Sequence, residues 1–463
     1  MSVLFVLAVN LQTLFLSGII KWLLNISKIN NQAKILNQEI QELTKTLNEA
    51  YDREDWDTVI GLGEKILELD NQLVIYNINI EDAYLNRGRS YLAQKLYALA
   101  LADYNKVLET NPESEVAYNN RGVVYSDLKQ FEKALENLNK AIELDPEFAG
   151  AYINRGKVYR VLEMYDLAIM DYARSIELDP NISMTYNNRA NVYKDLKQTE
   201  MALADFNKAL ELDPQNLFPY TNRGGLYDDL EQYEKALEDY AKALEIDSDD
   251  AETYYNRGNT YHHLKRHQEA ITEYDRSEEL DPNQELVFNN RGLAKKALEQ
   301  YDEALVDFNK AVELDLQLDI AYWNRGNLYY IIEQYQDALD DYNKAIELDP
   351  EYANNYFKRA RTFNMLEQYE QAILDYGKFL ELEPDSFTAL NNRGNLYLKL
   401  NQPDVAIEDY NKALEIDNEN SFAYYNRGRA FVDKGDIEAT RQDYKRAAEL
   451  GHTHAAQKLA ELG

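Results

Sequence analysis

One tripeptide fixes the register of this chain. Asn-Arg-Gly, or a near copy of it, ends at Gly88, Gly122, Gly156, Gly224, Gly258, Gly292, Gly326, Gly394 and Gly428, with Ala190 and Ala360 in the two remaining places. Every step is 34 residues, and no insertion or deletion interrupts it from residue 81 to residue 454. A length of 463 residues would ordinarily suggest several compact domains, but equal segments in unbroken phase require a stack, each segment burying its apolar face against the next.

Numbering each segment from residue 81 separates the roles of its positions. Position 8 is Gly or Ala throughout, and position 20 is Ala in ten segments, from Ala100 and Ala134 to Ala372 and Ala406, with Thr440 the exception. Small side chains at both places let two helices of one segment approach closely. Aromatic residues recur at position 4 (Tyr84, Tyr118, Tyr152), position 11 (Tyr91, Tyr125, Tyr159) and position 24 (Tyr104, Tyr172, Phe206), filling the space that the small residues leave. Leu-Asp-Pro closes many segments, as at Pro146, Pro180, Pro214, Pro282 and Pro350, because proline disfavours helical geometry in the residue before it. The pattern predicts helix, turn, helix, stop.

An aromatic residue at 4, Gly at 8, Tyr at 11, Ala at 20, an aromatic residue at 24 and Pro at 32 resemble the tetratricopeptide repeat. The resemblance covers residues 81–454 as eleven repeats: 81–114, 115–148, 149–182, 183–216, 217–250, 251–284, 285–318, 319–352, 353–386, 387–420 and 421–454. It implies an all-α fold, an α-solenoid in which antiparallel helix pairs form a right-handed superhelix with first helices lining a concave groove. Position 7 departs from the family: its usual Leu is Arg in all eleven repeats, from Arg87 and Arg121 to Arg427. Position 23 is acidic in ten repeats, Asn137 being the exception, so an Arg–carboxylate bridge between the two helices of each repeat is expected.

The ends differ from the repeats. Gln38 to Asp70 resembles a degenerate helix pair, and residues 31–80 are expected to serve as a linker and cap; residues 455–463 are expected to form a C-terminal cap helix. Val3 to Ile20 carries no charged side chain and is followed by Lys21 and Trp22, so residues 1–30 are expected to hold a membrane-anchor helix and its flank. Lys28 and Lys34 then place the repeats on the cytoplasmic side. Two alternatives stand: a secretory signal and an exported chain, which the absence of a basic segment before the apolar run disfavours, or a soluble cytoplasmic protein in which this stretch caps the array. Asn10, Gln12, Thr13 and Ser17 weaken a span and support the second.

With 82 acidic residues against 49 Lys and Arg, the formal charge is −33, which repels a phosphate backbone and argues against nucleic acid as partner. No cysteine is present, so disulfides, zinc-thiolate sites and thiol nucleophiles are excluded. No catalytic constellation or phosphate-cradling Gly loop stands out; the chain is not expected to be an enzyme, and no cofactor or metal is expected, His262, His263 and His267 included.

Binding is expected at position 6, which is Asn in ten repeats: Asn86, Asn120, Asn154, Asn188, Asn222, Asn256, Asn290, Asn324, Asn392 and Asn426, with Lys358 interrupting. A side-chain amide both donates and accepts, so a row of them suits the backbone of extended peptides of varied sequence. The series is similar to the asparagine ladder in the repeats of the O-linked N-acetylglucosamine transferases; the alternative is that these amides bond between neighbouring repeats and stabilise the stack. Positions 2, 5, 9, 12 and 13, which the resemblance also places in the groove, carry eight basic and seven acidic residues, so most of the negative charge lies elsewhere. Acidic groove residues cluster in repeats 5 and 6, and basic ones in repeats 3 to 4 and 9 to 10. Trp323 and Tyr330 are the expected aromatic hot spot. Position 5 contains no Lys, so a clamp for chaperone C-terminal carboxylates is not expected. The function expected is a membrane-tethered adaptor that binds extended segments of other proteins; the alternatives are a structural spacer or self-assembling scaffold working through its ends or convex face, and a non-catalytic subunit of an enzyme complex. The oligomeric state is not readable from the sequence.

Overall fold

A computed structural model describes residues 81–462 continuously, together with ten isolated positions between residues 38 and 65. The expected anchor over residues 1–30 lies outside the described residues, as does most of the expected helix pair over 31–80. Among the described residues no helix is long and apolar enough to cross a membrane.

The described chain is an all-α solenoid of twenty-three helices. Repeats 1 to 10 each consist of a thirteen-residue first helix and a fourteen-residue second helix, as in Glu81–Ala93 with Tyr97–Thr110 or Asp319–Ile331 with Tyr335–Leu348. Packing divides the chain into two bodies, the first ending at Arg223 and the second beginning at Gly224. Within each body a second helix packs against both its own first helix and the first helix of the next repeat. One core cluster of the first body therefore joins Leu85 and Tyr91, Ala100 and Tyr104, and Ala117 and Val124, drawn from three successive helices. The second body repeats the scheme with Tyr356, Ala360, Tyr376 and Leu396. Because each core belongs to two repeats, no single repeat is a domain.

Close approach of the paired helices depends on position 8. A Cβ on Gly88 would lie 2.6 Å from the Tyr104 ring, and one on Gly258 2.7 Å from the Tyr274 ring. The ring at position 24 thus occupies the space beside the glycine, and Tyr104, Tyr172, Tyr274 and Phe308 are wholly buried. Ala190 and Ala360, also buried, show that a methyl group is accommodated opposite Phe206 and Tyr376 with small shifts.

A left-handed residue at position 15 ends the first helix. Lys95, Lys129, Glu163, Lys197, Glu231, Lys265, Glu299, Glu333, Glu367 and Asn401 all have φ between 57° and 62°, and only Gly435 supplies the glycine that this conformation favours. The turn is closed by a bond from position 16 back to position 11, as from the Gln334 N–H to the Tyr329 carbonyl at 2.9 Å. This hydrogen bonding satisfies helix-end carbonyls and reverses the chain in three residues.

The expected Arg–carboxylate bridge is present. Arg155 donates from Nε and Nη2 to the two oxygens of Asp171 at 2.8 and 2.6 Å, and the same fork recurs at Arg87–Asp103, Arg189–Asp205, Arg291–Asp307, Arg325–Asp341, Arg359–Asp375, Arg393–Asp409 and Arg427–Asp443. Asn137 accepts from Arg121 Nε at 2.7 Å in place of a carboxylate. The hydrogen bond to Asp171 is the leading reason that the Arg155 pKa lies above its ordinary value. Where position 25 of the preceding repeat is Asn or Asp, the arginine also does something the sequence reading did not anticipate: its Nη1 reaches that residue, as from Arg155 to Asn139 at 2.7 Å and from Arg325 to Asn309 at 2.8 Å. One side chain thereby ties three helices together.

At the C-terminus the cap helix spans Thr453–Glu461, two residues earlier than expected, because Gly451 takes a positive φ of 90° and His452 Nδ1 accepts the Ala455 N–H at 3.2 Å.

Candidate functional site

In the second body, first helices of repeats 8 to 11 converge on an open cavity of about 720 Å³. Its lining comes almost wholly from positions 2, 5, 6, 9, 12 and 13, because side chains three and four residues apart share one helix face. Three cations line it, Arg361, Lys399 and Arg429, with the amides Asn364, Asn392, Asn395 and Asn426, the rings Tyr330, Phe357 and Tyr376, and Met365 and Leu396. No carboxylate is among the lining residues.

Neutral groups hold two of these cations. The Arg361 guanidinium lies 5.1 Å over the Tyr330 ring and donates to its hydroxyl at 3.3 Å. Lys399 Nζ donates to Asn364 Oδ1 at 3.1 Å and sits 4.5 Å from the Tyr369 ring centre. Tyr376 accepts from Asn392 Nδ2 at 3.3 Å; burial nevertheless pushes its pKa up to about 12. Phe357 packs edge-on against Tyr376 and tilted against Phe379, so it forms part of the core as well as the cavity floor.

Of the residues singled out in the sequence, Asn392, Asn426 and Tyr330 line this cavity. Trp323 does not: its ring meets Tyr352 edge-on at 6.2 Å, packs beside Tyr322, and has Lys358 Nζ 5.9 Å from its centre. Asn256, Asn290 and Asn324 also lie outside the lining, and Asn86, Asn120, Asn154, Asn188 and Asn222 belong to the first body.

The asparagines at position 6 spend much of their hydrogen-bonding capacity inside the stack. Asn154 Nδ2 donates to Asn119 Oδ1 of the preceding repeat at 2.9 Å, and Asn119 Nδ2 donates in turn to Asn120 Oδ1 at 3.2 Å. Asn222 to Asn187, Asn324 to Asn289 and Asn426 to Asn391 repeat the first of these bonds at 2.9 to 3.0 Å. Asn290 donates to the Tyr255 hydroxyl and to Asn259. The partner position, 5, was overlooked as a hydrogen-bonding site, although the Asn-Asn pairs at 119–120, 187–188, 289–290 and 391–392 carry the signal.

Some groove charges outside the cavity are paired as well. Arg160 bridges to Asp195 at 2.7 Å, joining repeats 3 and 4. Asp228 accepts from Thr260 Oγ1 at 2.6 Å and meets His263 Nδ1 at 3.0 Å. His262 and His267 face each other with ring centres 4.9 Å apart, and burial, followed by its histidine neighbours, pulls the His262 pKa down to about 4.

Tetratricopeptide repeat profiles match residues 81–114, 116–148, 149–182, 183–216, 251–284, 320–352 and 387–420, and related TPR profiles match 226–265, 294–332, 341–373, 361–401 and 423–450. Among solved structures, YrrB, a TPR protein with an unusual peptide-binding site, is similar at 29% identity over 41% of this chain and 97% of its own, with a TM-score of 0.35. Pseudomonas aeruginosa pilF is similar at 24% identity over 44% of this chain and 93% of its own, with a TM-score of 0.41. The APC/C hetero-tetramer Cut9-Hcn1 is similar at 16% identity over 91% of this chain and 96% of its own, also at 0.41. No curated protein matches the chain. With the repeat profiles covering most of residues 81–450, the chain belongs to the tetratricopeptide repeat family, whose arrays are protein-interaction scaffolds.

Proposed function

We propose that the array is an adaptor that holds extended segments of other proteins against its first helices, with the principal contact in repeats 8 to 11. The supporting observation is that groove positions of four successive first helices meet around one open cavity supplied with amides, rings and cations. An extended segment presents N–H and C=O groups along its whole length, and side-chain amides match both. Asn392 and Asn426 commit their Nδ2 groups to Tyr376 and Asn391, which leaves the amide oxygens as acceptors for peptide N–H groups. In repeats 2 to 5 the same ladder is read as structural, because its donors run from repeat to repeat. The reading assigns the chain no reaction.

A photo-crosslinking side chain placed at Met365, which is exposed in the cavity, tests the contact against one at Leu374, exposed on a second helix. A partner should label from position 365 and not from 374; equal labelling, or labelling from 374 alone, would move the contact to the convex face.

Residues 1–30 are read as a membrane tether on the strength of the charge-free run Val3 to Ile20, with the repeats on the cytoplasmic side. The full chain should then sediment with membranes and resist alkaline carbonate, whereas residues 31–463 should not. A full chain that stays in the soluble fraction removes the tether and leaves the groove untouched.

A further inference from the structure

We infer that the cavity of repeats 8 to 11 selects an acidic extended segment whose carboxylates, about six residues apart, flank an aliphatic or aromatic side chain. The inference rests on the groove reading above and names the class of segment.

Charge carries the argument. The groove positions of the eleven repeats carry eight basic and seven acidic residues, so a cavity placed along them without regard to charge would be lined by both signs. This one has three cations and no carboxylate. Several cations elsewhere are neutralised: Arg160 by Asp195 in the groove, and on the second helices Lys344 by Glu347 and Lys378 by Glu381. Arg361, Lys399 and Arg429 have no carboxylate within salt-bridging distance among the described residues, and two of them rest on a tyrosine hydroxyl and an amide oxygen. Those neutral contacts orient the cations without cancelling their charge, so each can still form a charge-assisted bond to an incoming carboxylate.

Spacing sets the length of the segment. Arg361 and Arg429 occupy the same position two repeats apart, with Lys399 from the repeat between them. Neighbouring helices pack at about 10 Å, so the two arginines stand on the order of 20 Å apart, a distance that an extended chain covers in about six residues. Phe357, Met365 and Leu396 supply an apolar floor along that path. A single-stranded nucleic acid would also bring negative charge, but with a phosphate at every nucleotide it meets the repulsion of the whole −33 chain. A peptide with two or three carboxylates puts charge only where the cations are.

The test uses the full chain and a fluorescein-labelled peptide of about ten residues, with Glu spaced to span this distance and Leu between. Its Gln counterpart and a labelled oligothymidylate serve as competitors, read by fluorescence anisotropy. The Glu peptide should bind at least about tenfold more tightly than the Gln peptide. Joint replacement Arg361→Gln, Lys399→Gln and Arg429→Gln should abolish that preference with the far-ultraviolet dichroism unchanged, since all three side chains are exposed. Equal affinity for the two peptides, with both lost on Met365→Asp, overturns the acidic class while the groove reading survives. Failure of both peptides to bind overturns both, and tighter binding of the oligothymidylate overturns the choice of a peptide.

Discussion

Asn324 Nδ2 donates to Asn289 Oδ1 at 2.9 Å, across thirty-five residues and one repeat boundary, with both side chains almost fully buried. The bond turns a residue with the sequence signature of a peptide ligand into a fastener between repeats. Asn324→Ala removes the donor and leaves the Asn289 amide oxygen buried without it, which costs about 1–3 kcal/mol. The check is the urea midpoint of the full chain, with hydrogen exchange followed in repeats 7 and 8; an unchanged midpoint and unchanged exchange there would show that the bond adds nothing to the stack.

Position 25 gives a second, opposite prediction. Arg393 Nη1 would lie 3.7 Å from a Cβ on Gly377, where most other repeats place an Asn or Asp to receive the guanidinium. Gly377→Ala should stabilise the helix by about 0.5–1 kcal/mol through backbone entropy alone. Gly377→Asn should do at least as well, despite the lower helix propensity of Asn, by adding a charge-assisted bond to Arg393. Thermal unfolding of the two variants decides: if Asn falls well below Ala, the bond to the preceding repeat is not a source of stability.

The turns carry a cost that glycine would relieve. Glu333 sits at φ 62°, in the left-handed region that a side chain disfavours by about 1–2 kcal/mol. Glu333→Gly should therefore raise stability, by up to about 1 kcal/mol once the greater freedom of glycine in the unfolded chain is counted. A loss of stability instead would mean that Glu333 makes a compensating contact in the turn.

Acid should loosen repeat 6. Burial holds the His262 pKa at about 4, below its ordinary 6.5, with His267, His263 and Lys296 adding to the effect. Between those two values the unfolded chain binds a proton that the folded chain refuses, so the stability due to a neutral His262 is complete above pH 6.5 and is lost as pH falls towards 4. The fall in Tm from pH 7 to pH 4.5 should be smaller in His262→Gln than in the native chain. An equal fall in both would assign the acid sensitivity to other groups.

Local chemistry made the fold legible. Gly or Ala at position 8, rings at 4, 11 and 24, and the closing prolines each act within a few residues or across one helix pair, and a strict period repeats them without drift. The Arg–Asp bridge was legible for the same reason, since positions 7 and 23 face each other inside one repeat. Reach between repeats was not: Arg325 to Asn309 and Asn154 to Asn119 depend on how far one helix pair is displaced from the next. Their signal, Asn at position 25 and the Asn-Asn pairs, takes on meaning only once that displacement is known.

The identity and spacing of residues were enough to establish helix pairs, their number and their tight internal packing. Which groove amides are already occupied, and which cations stand without a carboxylate, came from the packed structure. Trp323 and Tyr330 show why: both are aromatic groove positions of the same repeat, yet one ring packs beside Tyr352 and the other turns to the cavity beneath Arg361. A hydrogen bond or an ion pair is settled within about 3 Å, and placing two side chains that close, from repeats thirty-four residues apart, is the work of the stacked helices.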